Sequence, residues 1–422
     1  MSSPADTLLP TLGLPLDGMA RLLRKRVLAR LEGLRGGQLR LQDPEGVVVL
    51  GVADGNDPLQ ATLHVRDADF YRQVALNGSV GAGESYMDGQ WTSEDLVVLV
   101  RLLVRNRDLL DGMEGGLARL GAWALKGWHA LRRNTRAGSR RNIAAHYDLG
   151  NALFRLFLDE RMMYSSAMFA PGDTLEQASL RKLDRICNKL QLGPGDHLVE
   201  IGTGWGGMAI HAASRYGCRV TTTTISAEQH ALATERVAAA GLSGQVTVLL
   251  EDYRDLRGRY DKLVSIEMIE AIGHQYLDTY FARCAALTKP EGLALVQAIT
   301  IEDARYEQAL KSVDFIKRHV FPGSFIPCVS AMVGSAARAG GLRLLNLEDF
   351  GPSYAETLRH WRLRFHARLD EVRALGYDER FTRLWDFYLC YCEGGFIERS
   401  ISDVQLLFAP SGNRRDEYLP AL

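Results

Sequence analysis

Hydrophobic and polar positions follow a helical period near the amino terminus and a strand-like period soon afterwards. Between residues 21 and 40, apolar side chains recur at helical spacing beside seven basic residues and one acid, which predicts a basic amphipathic helix. Short alternating runs at 39–41, 47–52 and 61–65 are separated by Asp-Pro and Asp-Gly and predict strands with tight turns. We therefore expect a small α+β domain over residues 1–115.

Beyond residue 190 the pattern alternates between strand and helix. Short β-rich runs lie at 197–201, 218–224, 245–250, 262–266 and 293–300, and several are separated by segments of helical period. Such alternation predicts an α/β fold, in which helices cover both faces of a parallel-rich, doubly wound sheet. We assign this Rossmann-like domain to residues 146–422.

The segment between these domains, 116–145, is basic and aromatic. Every charged residue between 116 and 146 is Arg or Lys, and Trp123 and Trp128 lie among them. Two interpretations remain open: a segment that lies at a membrane interface, where indole rings and cations are favoured, or a solvated linker helix whose tryptophans pack on a neighbouring domain.

Charge and cysteine content exclude several classes of protein. The 50 basic and 51 acidic residues leave a net charge of -1, so we expect no nucleic-acid partner. Six cysteines without a C-x-x-C pair indicate a reducing compartment and no metal site. The first twenty residues lack the pattern of a signal peptide, and no apolar run approaches the ~18 residues needed to span a bilayer. We expect a chain that is soluble or lies on a membrane surface.

A glycine-rich loop is the strongest chemical signal. Gly202, Gly204 and Gly207 follow an apolar strand and open a helical run, as in the G-x-G-x-x-G pattern of nucleotide-binding folds. A purely structural turn is the alternative. Dinucleotide binding is disfavoured because the tip of the second strand is threonine-rich and its nearest acid, Glu228, falls in the next helix. S-adenosylmethionine suits the loop better, with the acid Glu200 just before the first glycine.

Two further segments lie at the expected rim of a cofactor pocket. Residues 226–229 have the form of a capping box, in which Ser226 closes the helix start and Gln229 reaches back. Thr224 and Gln229 are placed beside the glycine loop. Asp252 and Tyr253 follow the third strand, where an adenine would be held.

Together these residues resemble the cyclopropane-fatty-acyl-phospholipid synthase family, which includes the mycolic acid cyclopropane synthases. The similarity covers about residues 140–410 and is carried by the glycine loop and by segments 145–151, 164–169, 224–229, 251–255, 267–273, 320–323 and 392–396. Residues 78–91 also look like the N-terminal domain of bacterial members, which has a sterol-carrier-like fold.

The resemblance implies methyl transfer from S-adenosylmethionine to a double bond of a phospholipid acyl chain, followed by proton loss that closes a cyclopropane. It assigns cofactor binding to Tyr164, Ser165, Glu200, Gly202, Gly204, Thr224, Ile225, Gln229, Asp252 and Tyr253. It places residues 146–148 as a lid over the cofactor.

In this family the base is a bicarbonate held by a cysteine, a glutamate, a histidine and a tyrosine. The glutamate falls on Glu270 and the tyrosine on Tyr354, but the cysteine position is Ser166 and the histidine position is Gln297. Both replacements still donate hydrogen bonds, although a neutral amide binds an anion less tightly than a charged imidazole. Glu267 would share a side with Glu270 if the segment were helical, as a solvated, capping or catalytic carboxylate.

These departures leave the product open. Ring closure is our first expectation, and a methyl-branched or methylene chain is the alternative. A methyltransferase for a small soluble substrate, a lipid-binding relative without turnover and an oxidoreductase are further alternatives. The resemblance also implies an unsaturated phospholipid partner at an anionic membrane surface, a cytoplasmic location on the inner face of the membrane, and a homodimer formed through the N-terminal domain.

Overall fold

The structure, a computed structural model, describes residues 16–111 and 149–414. These residues divide into two compact units. The first contains 16–111 together with Asp378–Gly394, and the second contains 149–377 and 395–414. The predicted basic segment 116–145 and the predicted lid residues 146–148 lie outside the described residues. The domain limits 1–115, 116–145 and 146–422 stay predictions.

The first unit is a four-stranded sheet with helices. Its elements are α1 Gly18–Leu31, β1 Gly37–Asp43, β2 Gly46–Leu50, β3 Leu59–Val65, α2 Asp69–Met87, β4 Trp91–Thr92, α3 Leu96–Arg105 and α4 Arg107–Asp111. The strand order is β2-β1-β3-β4, with β1 and β3 parallel and the outer pairs antiparallel. Leu39 and Leu41 are buried on one face of β1, whereas Arg40 between them is exposed, so one sheet face forms the core.

The three predicted N-terminal strands are confirmed as β1, β2 and β3, but the helix predicted over 21–40 is shorter. It ends at Leu31, and Arg35 and Arg40 lie outside it. Gly36 adopts a φ of +70°, which favours glycine, and a side chain at Gly37 would collide with the backbone of Leu59. The chain therefore has to leave the helix before the first strand begins.

The second unit is built around a seven-stranded sheet. Its elements are α5 Asn151–Phe157, α6 Leu175–Lys189, β5 His197–Ile201, α7 Gly207–Tyr216, β6 Arg219–Thr224, α8 Ala227–Ala239, β7 Val246–Leu250, β8 Tyr260–Ile266, α9 Leu277–Leu287, β9 Thr288–Ile301, α10 Asp303–Lys311, α11 Val329–Gly340, β10 Leu342–Asp349, α12 Gly351–Ala367, α13 Leu369–Ala374 and β11 Ile401–Pro410. Short 3₁₀ turns span Ile269–Ala271 and His274–Tyr276, and a π-helical turn spans Ile316–Val320. Helix α14, Glu379–Ile397, begins in the first unit.

The strand order β10-β11-β9-β8-β5-β6-β7 confirms the predicted parallel-rich sheet. Strands β5 to β9 are parallel to their neighbours among themselves, while β11 runs antiparallel to both β9 and β10. Both faces are covered, because Leu198 belongs to one buried cluster and its neighbour Val199 to another. Parallel strands bring their carboxyl ends to one edge of the sheet, and that edge carries the candidate site.

Candidate active site

The glycine loop connects β5 to α7 and leaves part of its backbone open. Gly202 and Gly204 have φ angles of +98° and +51°, which side-chain-bearing residues rarely adopt. A Cβ atom at Gly204 would meet no heavy atom within 4 Å, whereas one at Gly207 would collide with Met163 and the backbone of Arg161. The first two glycines therefore shape a loop that a ligand can approach, and the third allows close packing.

Glu200 lies on β5, just before this loop, and is 2% exposed. The Thr222 hydroxyl donates to its Oε2 over 2.6 Å, and the hydroxyls of Thr222 and Thr203 are 2.7 Å apart. Burial raises the pKa of Glu200 to about 8, against the effect of the Thr222 hydrogen bond and Lys182. The group is therefore mainly protonated at neutral pH and can donate as well as accept a hydrogen bond.

The next strand ends in a buried pair. The Thr224 hydroxyl donates to Gln229 Oε1 over 2.8 Å, and Ser226 accepts from the Gln229 backbone N–H as the N-cap of α8. The predicted capping box is half right: Ser226 caps the helix, but the Gln229 side chain bonds Thr224 instead of the Ser226 backbone. The half-buried Ile225 lies between them. The expected cofactor residues of this strand end are thus held together.

After β7, Asp252 and Tyr253 take different environments. Arg254 donates to both carboxylate oxygens of Asp252, at 2.8 and 2.6 Å. The Tyr253 hydroxyl is buried and has no hydrogen-bond partner among the residues that the structure describes. Its ring packs against Tyr280 at 5.7 Å between centroids. A buried, unpartnered hydroxyl at a strand end is a position for a polar ligand atom.

These features fit S-adenosylmethionine. The open backbone at Gly204 and the protonatable Glu200 lie at the carboxyl end of β5, and the unpartnered Tyr253 hydroxyl follows β7, on the other side of β6. An adenosyl ligand with an amino-acid end presents polar groups along its length, and such a row of donors and acceptors matches it. The roles of the individual cofactor residues stay predictions.

A second group of side chains surrounds Glu267, which directly follows β8. The Ser166 backbone N–H and the Gln297 amide each donate to Glu267 Oε1 over 2.8 Å, and the Tyr354 hydroxyl donates to Oε2 over 2.8 Å. An ionised carboxylate only accepts hydrogen bonds, so three converging donors match it. Glu267 is not on a helix beside Glu270, as the helical interpretation required, because its φ of +46° turns the chain.

Behind Glu267 lies a buried row of polar side chains on β9 and β11. The Gln297 amide also donates to Asp403 Oδ2 over 3.0 Å, and the Gln405 amide donates to Gln297 Oε1 over 3.1 Å. All three side chains are fully buried. Burial, followed by the charge of Glu267, raises the pKa of Asp403 well above its ordinary value. Gln297 is thereby fixed between two carboxyl groups.

Glu270 has a different environment from Glu267. Its Oε1 accepts from the Ile299 backbone N–H over 2.7 Å, and its Oε2 is buried without a hydrogen-bond partner within residues 16–111 and 149–414. Burial, and then the charge of Glu267, raises the pKa of Glu270 to about 8. Glu270 is therefore mainly protonated at neutral pH, and a protonated carboxyl is not a base.

The structure does not support bicarbonate at this position. Ser166, Gln297 and Tyr354 were expected to hold it. In the structure the side chains of Gln297 and Tyr354 donate to Glu267 instead, and so does the Ser166 backbone N–H. The Ser166 hydroxyl donates to the Ala167 carbonyl instead, over 2.9 Å. The carboxylate of Glu267 accepts the side-chain hydrogen bonds of Gln297 and Tyr354 that the resemblance gave to an anion. Bicarbonate therefore has no support here, and its binding stays a prediction.

Aromatic rings connect the two groups. The Tyr164 ring lies 5.1 Å from Phe154, 5.4 Å from Trp361 and 6.4 Å from Phe321, centroid to centroid. Trp361 is in turn 6.1 Å from Tyr354, the residue that donates to Glu267. Ring faces attract positive charge, so this aromatic wall suits a cationic intermediate.

Four polar residues of the site were not predicted in these roles: Glu267 as the anchored carboxylate, Asp403, Gln405 and Lys182. Asp403 and Gln405 alternate along an otherwise apolar strand, and Lys182 falls on the apolar stripe of α6. For Asp403, Gln405 and Lys182, a polar residue in a buried pattern was the available signal.

The sequence and the structure both match known methyltransferase relatives. The mycolic acid cyclopropane synthetase family matches residues 134–406, and the chain belongs to that family. The structure is similar to mycolic acid cyclopropane synthase CmaA1 complexed with SAH and CTAB, with a TM-score of 0.60 and 30% identity over 64% of this chain and 97% of that one. The chain is an S-adenosylmethionine-dependent methyltransferase with a Rossmann-like domain and a small N-terminal α/β unit.

Two curated relatives cover most of the chain. It is 40% identical to tuberculostearic acid methyltransferase UfaA1 of Mycobacterium tuberculosis, over 85% of this chain and 84% of that protein. It is 38% identical to cyclopropane-fatty-acyl-phospholipid synthase of Escherichia coli, over 84% and 89%. Both names describe enzymes that act on fatty acyl chains, so the chain is a lipid C-methyltransferase. Among the described residues, no helix is long and apolar enough to cross a membrane.

Proposed function

We propose that the chain transfers a methyl group from S-adenosylmethionine to the double bond of an unsaturated phospholipid acyl chain and closes a cyclopropane ring. The observation that carries the proposal is the carboxylate of Glu267, held by three donors at the edge of an aromatic wall. A carbocation has to lose a proton to become a ring, and a positioned carboxylate is a suitable acceptor.

S-adenosylmethionine supplies an electrophilic methyl group when it is bound. We assign its binding to Tyr164, Ser165, Glu200, Gly202, Gly204, Thr224, Ile225, Gln229, Asp252 and Tyr253. An alkene is a weak nucleophile, so these residues serve mainly to hold the reacting atoms close and in line. Such positioning contributes several kcal/mol, of the order of 7–11 kcal/mol in well-oriented systems.

The remaining steps use side chains of the site. The alkene electrons form the new carbon–carbon bond as the sulfur–methyl bond breaks, which leaves a carbocation on the acyl chain. The rings of Tyr164, Trp361 and Tyr354 stabilise this cation. Glu267 then removes a proton from the added methyl group, and the electrons of that C–H bond close the ring. Burial of Ser166 and Gln297 limits access of water, which would otherwise trap the cation.

Within this proposal Tyr354, Gln297 and Ser166 position the base, and no bicarbonate takes part. Glu270, bonded to Ile299 and mainly protonated, supports the turn that presents Glu267. Its assignment as a catalytic residue changes to a positioning role.

A methylene product is the second candidate. It is favoured by the 40% identity to a tuberculostearic acid methyltransferase and by the amide Gln297 at the expected histidine position. A hydride shift from the methylated carbon to the neighbouring cationic carbon would first move the positive charge to the methylated carbon. Glu267 would then accept a proton from the methyl group, and the electrons of that C–H bond would form the exocyclic double bond. A saturated methyl branch needs a further reductant and is not proposed.

We assign membrane association to the first unit, and we propose that its fold is sterol-carrier-like. Helix α1 exposes Met19 and Leu22 to solvent, at 56% and 47%, together with the cations Arg21, Lys25 and Arg26. Exposed apolar side chains beside cations match an anionic lipid surface. We place the enzyme on the cytoplasmic face of the membrane, as a peripheral protein, with a homodimer formed through this unit.

The test combines labelled S-adenosylmethionine with vesicles of an unsaturated anionic phospholipid. We expect one labelled carbon per modified acyl chain. Cyclopropane and methylene products have the same mass, so proton NMR has to separate them: ring protons resonate upfield, and methylene protons in the olefinic region. Olefinic signals alone would replace ring closure by the second candidate, and label that stays out of the lipid would refute both.

A further inference from the structure

Lys182 is a fully buried lysine on α6 that none of the assigned roles uses. It is 0% exposed, and its ammonium donates to the Ser165 hydroxyl oxygen over 2.7 Å. Buried lysines are rare unless their charge has partners. Ser165 is the one hydrogen-bond partner of Lys182 among the described residues. The charged groups around Lys182 therefore have to account for its burial.

Carboxyl groups from several elements face Lys182. Burial lowers its pKa, while Glu267, Asp159, Asp403 and Glu200 each raise it. Glu200 belongs to the cofactor group of the site and Glu267 to the base group, so the ammonium interacts electrostatically with both groups. No carboxylate forms an ion pair with it in the part of the chain that the structure describes. Its closest polar contact remains the Ser165 hydroxyl.

The contact fixes the hydrogen-bond role of Ser165. An ammonium has donors only, so the Ser165 oxygen must accept. The hydroxyl hydrogen is then available for an acceptor, and no described residue provides one. Ser165 is 4% exposed and lies between Tyr164, on the aromatic wall, and Ser166, which contacts Glu267. A buried hydroxyl that must donate, backed by a cation, suits an anionic ligand group.

We propose that Lys182 is a positioning residue that directs the Ser165 hydroxyl to the carboxylate of the amino-acid end of S-adenosylmethionine. The inference rests on the proposed function, because it presupposes that cofactor in this pocket. The ammonium polarises the hydroxyl and adds a positive potential where the carboxylate binds. Both effects apply to the amino-acid end of the ligand and leave the adenosine end unaffected.

Two ligands separate this role from general support of the fold. S-adenosylhomocysteine carries the amino-acid end, and 5′-methylthioadenosine lacks it. We expect Lys182→Met to weaken S-adenosylhomocysteine binding by about tenfold or more, as for the loss of a hydrogen bond to a charged group, with the affinity for 5′-methylthioadenosine unchanged. Calorimetric titration of both ligands on the full chain measures the two affinities.

Lys189 provides a matched control on the same helix. It lies seven residues on, is also 0% exposed, and pairs with Glu348 over 2.7 Å. Lys189→Met removes an equally buried ammonium away from Ser165, so both affinities should stay at the wild-type value. Ser165→Ala leaves Lys182 in place and should weaken binding of S-adenosylhomocysteine alone. The double variant Lys182→Met/Ser165→Ala should bind this ligand no more weakly than either single variant.

Equal weakening of both ligands by Lys182→Met would indicate a structural role and overturn the inference. An unchanged affinity of Ser165→Ala for S-adenosylhomocysteine would overturn it too, even if Lys182→Met failed to fold. The proposed function is tested separately by the wild-type chain, which fails that test if it binds neither ligand.

Discussion

Glu267 combines an unfavourable backbone with favourable side-chain contacts. Its φ of +46° costs of the order of 1–3 kcal/mol for a residue with a side chain, yet three hydrogen bonds hold its carboxylate. Strain of this kind persists where the surroundings determine the conformation, and it is common at functional sites. A glycine would relieve the backbone but would remove the carboxylate.

Replacing the carboxylate by an amide tests the base. Glu267→Gln keeps the size of the side chain, and we expect product formation to fall by about 10²-fold or more because an amide does not accept the proton. Binding of S-adenosylhomocysteine should persist, which shows that the pocket is intact. Labelled methyl transfer to vesicles measures the first quantity and calorimetry the second. Wild-type turnover in the variant would exclude Glu267 as the base.

Replacing the side chain by glycine tests the same position from the opposite direction. Glu267→Gly relaxes the positive φ but leaves the three buried donors of the carboxylate unpaired, so we expect the melting temperature to fall. Product formation should be lost and then partly restored by added formate or bicarbonate, which can enter the space of the missing carboxylate. The wild-type chain should be indifferent to these anions. Dependence of the wild type on bicarbonate would restore the anion that the proposal removes.

Several site residues could be recognised from the sequence, but their contacts could not. Tyr354 and Gln297 were predicted to lie in one site, and the structure brings both to Glu267. Ser166 was expected to act through its hydroxyl, whereas its backbone N–H makes the contact. The three-residue spacing of Glu267 and Glu270 does not reveal the positive φ of Glu267, and this φ decides which carboxylate meets Tyr354 and Gln297.

At the scale of elements, α1 is the first membrane-contact candidate. Its exposed face carries Met19, Leu22, Lys25 and Arg26, while Leu23 and Val27 on the opposite face are buried. The Asp17 side chain caps the helix start, and Arg24 is bonded to the buried Asp43 of β1 over 2.5 Å. The helix is therefore fixed to its sheet by one face, and the other is available to lipid.

Reversing two of these charges should weaken docking. Lys25→Glu/Arg26→Glu should reduce binding to anionic vesicles by about tenfold or more, since each cation near such a surface contributes about 1 kcal/mol. Binding to neutral vesicles should change little. Cosedimentation at moderate ionic strength measures both.

An equal charge reversal in the second unit is the control for that experiment. Arg368→Glu/Arg373→Glu changes two half-exposed arginines. A similar loss of binding in both double variants would point to net charge, and not to α1, as the cause.

The elements themselves were predicted with uneven success, for physical reasons. Strands β5 to β9 are rich in apolar and β-branched residues, which favour the strands of a covered parallel sheet, and all five were predicted. Strands β10 and β11 were not. In β10, buried and exposed residues alternate, and a bulge interrupts the pairing between Leu344 and Asn346. Strand β11 contains the buried polar residues Asp403 and Gln405. Polar residues at buried positions interrupt the apolar pattern by which a strand is recognised.

At the scale of the whole molecule, sequence order is a poor guide to which residues form one unit. Residues Asp378–Gly394 belong to the first unit although they follow most of the second. Tyr86 donates to Asp386 over 2.6 Å, and Arg380 donates to Asp88 over 2.9 Å, across almost 300 positions of sequence. Propensity and periodicity act locally, so no local pattern could have predicted this return.

Two buried carboxyl groups of the site make the stability of the whole molecule depend on pH. Glu200 and Glu270 each have a pKa raised to about 8 from 4.5, chiefly by burial. Between these values the unfolded chain has released the proton that the folded chain retains, so the free energy of unfolding falls as pH rises. One such group contributes about 1.4 kcal/mol per pH unit in this window. Below pH 4.5 both states are protonated and the penalty disappears.

Glu270→Gln mimics the protonated acid at every pH, so it should flatten the decline in stability. The wild-type melting temperature should fall between pH 5 and 8, and that of the variant should fall less, by about 2–4 °C for each kcal/mol that the substitution restores. Glu228→Gln, which neutralises an exposed carboxyl on α8, is the control and should keep the wild-type slope. Calorimetric scans over this range measure all three. Equal slopes for the wild type and Glu270→Gln would mean that Glu270 is ionised in the folded chain at neutral pH, and it would then compete with Glu267 for the proton.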